Sequence, residues 1–217
     1  SCYNGSNGTC TVTAISGGSS PYTFAWSGGT AGGTGINVAR TGFSAGDYSI
    51  SITDNAGCDA LANFDISQPT QVAVSGTLST STDGSYNISC NGASTGSITL
   101  TASGGTTPYS SYTWSPSVST TSSATSLAAG TYTVTVKDAN GCTITQPVTI
   151  TQPTSLTASI TSQTNVLCNG AATGNVTVAG AGGTPTYTYS KDGITFQASG
   201  TFSSLTAGSY TITVKDA

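Results

Sequence analysis

The sequence lacks most of the residues on which active sites and nucleic-acid interfaces depend. Its 217 residues include no histidine, glutamate or methionine, and only four lysines and arginines against eight aspartates. A net charge of -4 without any basic patch argues against a nucleic-acid partner. General bases that could activate a nucleophile are scarce, so we expect no enzyme activity and no catalytic residues.

Long apolar runs and helical periodicity are missing too. No run approaches the roughly 20 residues that span a bilayer, so we expect no membrane insertion by this segment. Only 6% of the residues are charged, and the surface must be polar through Ser and Thr hydroxyls. That composition is common in exported all-β surface proteins. Because no signal peptide is visible and the first residue is not Met, we expect an internal segment of a longer protein.

Three copies of one strand-turn unit organise the chain. The unit reads GDYSISITDNAGC from Gly46, GTYTVTVKDANGC from Gly130 and GSYTITVKDA from Gly208. Alternating apolar and hydroxyl side chains predict a strand with one buried face. The Asp-Asn-Gly type residues after it predict a tight turn. With recurring Gly-Gly turns and aromatic strands, the pattern predicts an all-β fold of tandem immunoglobulin-like or PKD-like β-sandwich repeats.

The copies are separated by Gln-Pro-Thr at 68–70 and 152–154. We therefore predict one repeat at 1–69 without its first strand, a complete repeat at 70–153, and one at 154–217 without its last strand. The prolines fix φ and no Gly/Ser tract follows them, which predicts short, stiff linkers.

Aromatic residues recur at two positions of the unit. A tyrosine two residues after glycine has the spacing of a tyrosine corner, whose hydroxyl bonds to upstream backbone. These tyrosines are Tyr48, Tyr132 and Tyr210. Trp26 and Trp114 take the place of a core tryptophan, whereas the third copy has Lys191 there. Because an unpaired lysine cannot lie deep in an apolar core, this position is predicted to lie near the rim.

Six cysteines predict a disulfide framework and an oxidising compartment. The simplest scheme pairs the opening cysteine of each copy with the cysteine after its Asp turn, giving one disulfide per complete repeat. The pairs are Cys2 with Cys58 and Cys90 with Cys142, and Cys168 has its partner beyond residue 217. On the chain-entropy argument each bridge contributes roughly 4 kcal/mol.

Cys10 is left over in this scheme. It aligns with Ile98 and Val176, which predicts a buried thiol, and a swapped pairing with Cys2 or Cys58 is the alternative. No C-x-x-C motif and no histidine occur, so we expect no metal site and no cofactor.

Three aspartates, Asp54, Asp138 and Asp216, recur at equivalent turn positions. Turn formation explains them. The alternatives are weak Ca²⁺ binding between copies, although each turn offers about one carboxylate, and an isopeptide bond from the lysine beside the aspartate.

The motifs CNGASTGSITLTASGG, PYSSYTW, LAAGTYTVTVKDANGC and VTITQP together resemble the SprB repeat. This repeat occurs in very large cell-surface adhesins of gliding Bacteroidota, and the resemblance covers essentially the whole chain. Three residues depart from the repeat pattern. Lys191 stands at the tryptophan position, Phe43 stands at the leucine position of the tyrosine corner, and Cys10 is an additional cysteine.

The resemblance implies export by the type IX secretion system and a location at the bacterial cell surface, attached to the outer membrane. The implied partners are neighbouring repeats of the same chain, the secretion and gliding machinery, and polysaccharide or abiotic surfaces. It identifies no binding residues.

Two hypotheses about function follow. In the first, the repeats are a structural stalk of a long adhesin filament; in the second, each repeat is itself a module that binds glycans or surfaces. The stalk is favoured because variable loops such as 115–126 are mostly Ser, Thr and Ala, without aromatic platforms. Its mechanical basis is the disulfide within each copy, which requires Cys90 to lie next to Cys142.

Overall fold

The structure, a computed structural model, describes residues 2–32 and 35–217. In these ranges the chain forms seventeen β-strands. No helix there is long and apolar enough to cross a membrane. The strands form six separate sheets, two within 8–66, two within 73–150 and two within 157–215. The prediction of an all-β fold is confirmed.

The first copy has an aromatic core between two three-stranded sheets. Their orders are β1-β4-β3 and β2-β5-β6. The strands are β1 (Gly8–Thr11), β2 (Thr23–Trp26), β3 (Ala31–Gly32), β4 (Ala39–Phe43), β5 (Gly46–Thr53) and β6 (Asp59–Ile66). Trp26 of one sheet contacts Phe43 of the other at 6.0 Å between ring centroids. Phe64 packs edge-on against both rings, so the two sheets face each other.

The second copy is the most completely buried. Its sheets have the orders β10-β8-β7 and β12-β11-β9. The strands are β7 (Ala73–Leu78), β8 (Gly96–Ser103), β9 (Ser111–Ser115), β10 (Ser123–Leu127), β11 (Gly130–Lys137) and β12 (Thr143–Ile150). Along β11, Tyr132, Val134 and Val136 are buried and the threonines between them are not. The period of two in the sequence is therefore the inward-outward alternation of this strand.

The third copy has one sheet of three strands, β13-β14-β16, and one of two, β15-β17. The strands are β13 (Thr157–Thr164), β14 (Gly174–Ala181), β15 (Thr188–Ser190), β16 (Thr201–Leu205) and β17 (Thr213–Lys215). The core packs Val176, Val178 and Phe202 of the first sheet with Tyr189 of the second.

An open cleft of about 540 Å³ lies in the third copy. In the second copy, β12 closes the sandwich, and its Ile150 is buried against Gly96. The described part of the third copy has no counterpart of β12. Tyr210, which lines the cleft, is therefore 42% exposed, whereas the equivalent Tyr132 is 7% exposed.

The chain divides into two compact units. The first comprises Ser1–Ser75, Ala102–Tyr112 and Thr135–Thr145; the second comprises Gly76–Thr101, Thr113–Val134 and Gln146–Ala217. The boundary crosses the strands of the second copy. The first unit thus holds the first copy with one end of the second, and the second unit holds the remainder.

The corner tyrosines make one repeated hydrogen bond. Tyr132 donates its hydroxyl to the carbonyl oxygen of Ala128, four residues upstream, at 3.0 Å. Tyr48 and Tyr210 donate in the same way to Ser44 and Thr206, at 3.2 and 3.1 Å. This is the bond that the tyrosine-corner spacing predicts, and it ties the entry of the strand to the preceding loop.

The tryptophan position differs among the copies. Trp114 is 3% exposed and donates its Nε1 hydrogen to the Thr121 carbonyl at 2.9 Å. Trp26 is half-buried, and its Nε1 has no hydrogen-bond partner among the described residues. Lys191 directly follows the short strand β15 and is exposed, as expected for a position at the rim.

The predicted disulfide pairing is wrong. Cys2 bonds Cys142, whereas Cys58, Cys90 and Cys168 are free and exposed. The reason is the length of a strand. Cys142 directly precedes the eight-residue strand β12, whereas Asn91 and Gly92, next to Cys90, bind Pro153 and Gln152 beyond its other end. Such a strand is about 26 Å long, and a disulfide needs Cα atoms within roughly 7 Å.

We expect Tyr132→Phe to destabilise the second copy by about 1 kcal/mol, because the Ala128 carbonyl loses its donor. The measurement is urea unfolding followed by Trp114 fluorescence in a Trp26→Phe background. Tyr112→Phe is the matched control, since the Tyr112 hydroxyl makes no hydrogen bond within residues 2–32 and 35–217. Equal effects of the two substitutions would contradict the role of the corner bond.

Candidate functional site

The candidate functional site is a junction between copies. In residues 2–32 and 35–217 no three potential metal-ligating side chains come together. What stands out is the bridge from Cys2 of the first copy to Cys142 of the second. We call its surroundings the bridged junction: the turn Cys2–Gly5, the segments 70–72 and 104–106, and the turn Asp138–Cys142, all within the first unit.

The bridge joins residues far apart in sequence. The two Cα atoms are 5.5 Å apart, and the cysteines are separated by 140 positions. On the chain-entropy argument, closing a loop of that length contributes roughly 5 kcal/mol, somewhat more than the within-copy bridge expected from sequence. Besides this stabilisation, the bridge fixes two consecutive copies to each other by a covalent bond outside the linker.

Asp138 positions the turn cysteine. One carboxylate oxygen accepts hydrogen bonds from the backbone N–H groups of Asn140 and Cys142, at 2.9 and 2.8 Å. The other accepts from the N–H of Thr106 in the Gly-Gly loop, at 2.9 Å. A single buried side chain therefore ties the Asp turn to the neighbouring loop, which supports the turn-forming interpretation of this aspartate.

These hydrogen bonds set the charge state of Asp138. Burial by itself would raise the pKa of this carboxyl group. The N–H groups of Thr106, Cys142 and Asn140 outweigh burial, so that the pKa is lowered below its ordinary value. In the first copy, backbone bonds from Ser19 and Cys58 likewise lower the pKa of Asp54. Both aspartates are therefore charged at neutral pH.

The opening cysteine is held by a turn of its own. The Gly5 N–H donates to the Cys2 carbonyl at 2.9 Å, and Asn4 has a positive φ of 57°. The Asn4 N–H donates to the side-chain oxygen of Gln68 at 2.7 Å. The turn is therefore anchored to the linker that leads into the second copy.

The two glycines of the Gly104-Gly105 loop are required by close packing. A Cβ atom on Gly104 would overlap the Gln71 carbonyl oxygen, and one on Gly105 would lie 2.8 Å from a carboxylate oxygen of Asp138. Both residues also have positive φ, 69° and 61°. Larger side chains would displace the linker from the end of the second copy.

A small cleft of about 200 Å³ lies beside the bridge, with Tyr3, Val72 and Ile144 in its lining. It is far below the 300–1,000 Å³ typical of ligand pockets.

A second contact between copies occurs within the second unit. The Thr184 hydroxyl of the third copy donates to the Ser89 carbonyl of the second at 2.8 Å, and Thr184 is completely buried. Ser89 directly precedes Cys90, and Thr184 follows the Gly182-Gly183 loop. The opening segment of one copy therefore meets the Gly-Gly end of the next copy here too.

One repeated feature was missed by the sequence reasoning. One or two residues before the aromatic strand of each copy stands a tyrosine whose hydroxyl donates to a carbonyl of the Gly-Gly loop. The pairs are Tyr22 with Gly17, Tyr109 with Gly104 and Tyr187 with Gly182, at 2.8, 2.9 and 2.6 Å. The constant spacing of five residues between glycine and tyrosine was the available signal.

The remaining cysteines take no part in a bridge. Cys10 is free and half-buried on β1, so neither swapped pairing, with Cys2 or with Cys58, occurs. It is less enclosed than Ile98 and Val176, with which it aligns in the other copies.

Comparison with known proteins gives one family and several distant structures, three of which are described below. Residues 1–31, 82–119 and 160–196 match the family model of the SprB repeat. No curated protein matches the chain.

The amphioxus IgVJ-C2 molecule is 16% identical over 68% of this chain and 97% of its own, with a TM-score of 0.31. A C-terminal fragment of intimin, in complex with the intimin-binding domain of its translocated receptor, is 20% identical over 63% and 53%, with a TM-score of 0.31. The N-terminal eight Ig domains of Down Syndrome Cell Adhesion Molecule are 13% identical over 89% and 27%, with a TM-score of 0.29. Scores this low support no inference about this chain.

We expect Asp138→Asn to lower stability at neutral pH, because an amide accepts these N–H bonds less strongly than a carboxylate. The pKa of Asp138 is lower in the folded than in the unfolded chain. Its stabilising effect is therefore complete above about pH 4–5 and is lost as the pH falls through the folded value. The stability difference between wild type and variant should shrink between pH 7 and pH 2, measured by urea unfolding.

Asp59→Asn removes the same charge from an exposed strand position and serves as the control. A difference between wild type and Asp138→Asn that stays constant with pH would contradict the assignment.

Proposed function

Since the chain belongs to the SprB-repeat family, with three matched segments, we propose that it is a load-bearing section of the stalk of a cell-surface adhesin. The observation that carries the proposal is the Cys2–Cys142 bridge, which joins consecutive copies. A stalk must pass tension from each domain to the next. A covalent bond across the junction does so even when the non-covalent contacts yield.

A bridge between copies bears load differently from the bridge within each copy that the sequence predicted. A bridge within each copy would protect single domains and leave the linkers at 68–70 and 152–154 to bear the load. The observed bridge instead encloses the first linker within its loop of 140 positions. Unfolding of residues between Cys2 and Cys142 then adds no length between the points at which load is applied.

The export route, the cellular location and the role in gliding are proposed from the family resemblance. In this proposal the protein is exported by type IX secretion, is carried on the outer surface of a gliding bacterium, and turns surface movement into translocation through adhesion. The repeats keep the adhesive part at a distance from the cell. Quasi-independent copies suit that task because length grows with copy number.

The alternative, that each repeat binds glycans or surfaces, has less support. Trp114 is buried, so it cannot serve as a stacking platform for a sugar. The exposed aromatic side chains are Tyr3, Phe196 and Tyr210, at 45%, 37% and 42%. Tyr3 lines the small cleft beside the bridge, and Tyr210 lines the open cleft of the third copy.

We predict that reduction of the bridge lengthens the fully stretched protein. A loop of 140 residues spans about 50 nm when extended. Single molecules pulled from both termini should gain about this contour length when dithiothreitol is added or when Cys2 is replaced by Ser. Cys10→Ser is the matched control and should change nothing. Equal contour lengths under oxidising and reducing conditions would remove the basis of the stalk proposal.

A binding assay separates the two functions. We expect the purified chain to adhere to polysaccharide-coated or glass surfaces no more than an unrelated protein of similar charge. If it binds, and Phe196→Ala or Tyr210→Ala abolishes binding with an unchanged circular dichroism spectrum, then the repeats are binding modules and the stalk is the lesser role.

A further inference from the structure

Five asparagines of the chain are followed directly by glycine: Asn4, Asn7, Asn91, Asn140 and Asn169. Such a pair is prone to spontaneous deamidation, because glycine has no side chain to hinder attack of its backbone nitrogen on the asparagine side chain. The reaction adds a negative charge and can insert a methylene group into the backbone. In the opening turn of a copy, either change would alter the segment next to the opening cysteine.

Asn91 lies in the opening turn of the second copy and is exposed to water, so burial does not protect it. Two hydrogen bonds hold its reacting groups instead. The Asn91 side-chain Nδ2 donates to the Pro153 carbonyl at 2.9 Å. The backbone N–H of Gly92 donates to the side-chain oxygen of Gln152 at 2.8 Å. Both the leaving amide nitrogen and the attacking backbone nitrogen are therefore bound to the linker that follows the copy.

The two acceptors belong to a segment that is itself held in place. Pro153 is completely buried. The Thr151 N–H donates to the Asn87 side-chain oxygen at 2.9 Å, and the Asn87 N–H donates to the Thr151 carbonyl at 3.1 Å. The three residues that follow β12 are thus tied to the opening segment of the same copy, and they hold the acceptors next to the turn.

We propose that this linker protects Asn91 from deamidation, and that Asn91 is a modification site that reacts only when the linker detaches. In the reaction the Gly92 nitrogen attacks Cγ of Asn91. The Cγ–Nδ2 bond breaks, ammonia leaves with the proton of the Gly92 nitrogen, and a five-membered succinimide remains. Water then opens the ring to an aspartate or an isoaspartate at position 91. One amide and one water molecule become one carboxylate and one ammonium ion, without an oxidant or a reductant.

Both hydrogen bonds oppose the first step of this reaction. Cγ of Asn91 must approach the Gly92 nitrogen, and the bond from Nδ2 to the Pro153 carbonyl restrains that movement. The Gly92 nitrogen must also give up the proton that it donates to Gln152. Breaking both bonds before the attack slows the reaction by about tenfold or more. This protection goes beyond the proposed stalk role and does not depend on it, since it concerns one copy and its own linker.

Asn140, at the other end of the same copy, is held by different partners. Its Nδ2 donates to the Thr106 hydroxyl at 2.9 Å, and the N–H of Gly141 donates to the Asp138 carbonyl at 3.1 Å. None of these partners belongs to the linker. Asn140 is therefore an internal reference, which reacts faster when the whole copy opens but not when the linker alone is released.

The test measures deamidation in the whole chain during incubation in warm, mildly alkaline buffer. After reduction, trypsin cleaves behind Arg40 and Lys137 and releases a peptide in which Asn91 is the single asparagine followed by glycine. Fragmentation in the mass spectrometer locates the added mass in this peptide and in the next one, which contains Asn140. The same measurement on the chain unfolded in urea gives the unprotected rate.

Three variants identify the source of the protection. Gln152→Ala removes the acceptor of the Gly92 N–H, whereas Gln152→Glu keeps an acceptor oxygen at that position. Gln146→Ala is the matched control, because Gln146 is an exposed residue of β12 whose Nε2 donates to the neighbouring Pro147 carbonyl. Circular dichroism checks that each variant is folded.

We expect Asn91 to deamidate more slowly in the folded than in the unfolded chain, by about tenfold or more. Gln152→Ala should raise the Asn91 rate severalfold and leave the Asn140 rate unchanged, whereas Gln152→Glu and Gln146→Ala should stay near wild type. Equal rates in folded and unfolded chain, or no faster reaction in Gln152→Ala, would overturn the inference. So would a Gln152→Glu rate as high as that of Gln152→Ala, or equal acceleration at Asn91 and Asn140, which opening of the whole copy would explain.

Discussion

One aspartate side chain ties together the end of each copy at which the copies are joined. In the second copy, Asp138 uses one oxygen for its own turn and the other for Thr106 in the Gly-Gly loop. A charged acceptor is the strongest partner that backbone N–H groups find in a protein. Because the oxygen that binds the Cys142 N–H is fixed, the direction in which the thiol leaves the sheet is fixed too. The bridge to Cys2 depends on that placement.

The two ends of a copy carry different structural features. One carries the Asp turn and the Gly-Gly loop; the other carries the opening cysteine and the Gln-Pro linker, with Gln68 and Gln152 bonded to the opening turns at 2.7 and 2.8 Å. This polarity explains why Cys2 and Cys142, at opposite ends of their copies, bond to each other rather than within one copy. The two observed contacts between copies, at Cys2–Cys142 and at Ser89–Thr184, have the same direction along the chain.

Much of the fold could be predicted because it depends on local patterns. The alternation around Tyr132 and Val134 predicted β11, and the four-residue spacing to Ala128 predicted the corner bond. The cysteine pairing could not be predicted in this way. The repeat pattern identifies opening cysteines and turn cysteines, but it does not show which opening cysteine bonds which turn cysteine. Cys2 is therefore equally compatible with Cys58 and with Cys142. Only the length of β12 decides which end each thiol occupies.

Because the bridge joins two copies, a single copy is not a self-contained building block of this protein. Cutting the chain at 69/70 would isolate a first copy in which Cys2 lacks its partner Cys142, and a Cys2–Cys58 cystine formed there would be non-native. Dissection, grafting or recombinant production of these repeats should therefore use consecutive pairs, with Cys2 and Cys142 in one polypeptide. The smallest unit that keeps this bridge is therefore the bridged junction together with the copies on both sides of it.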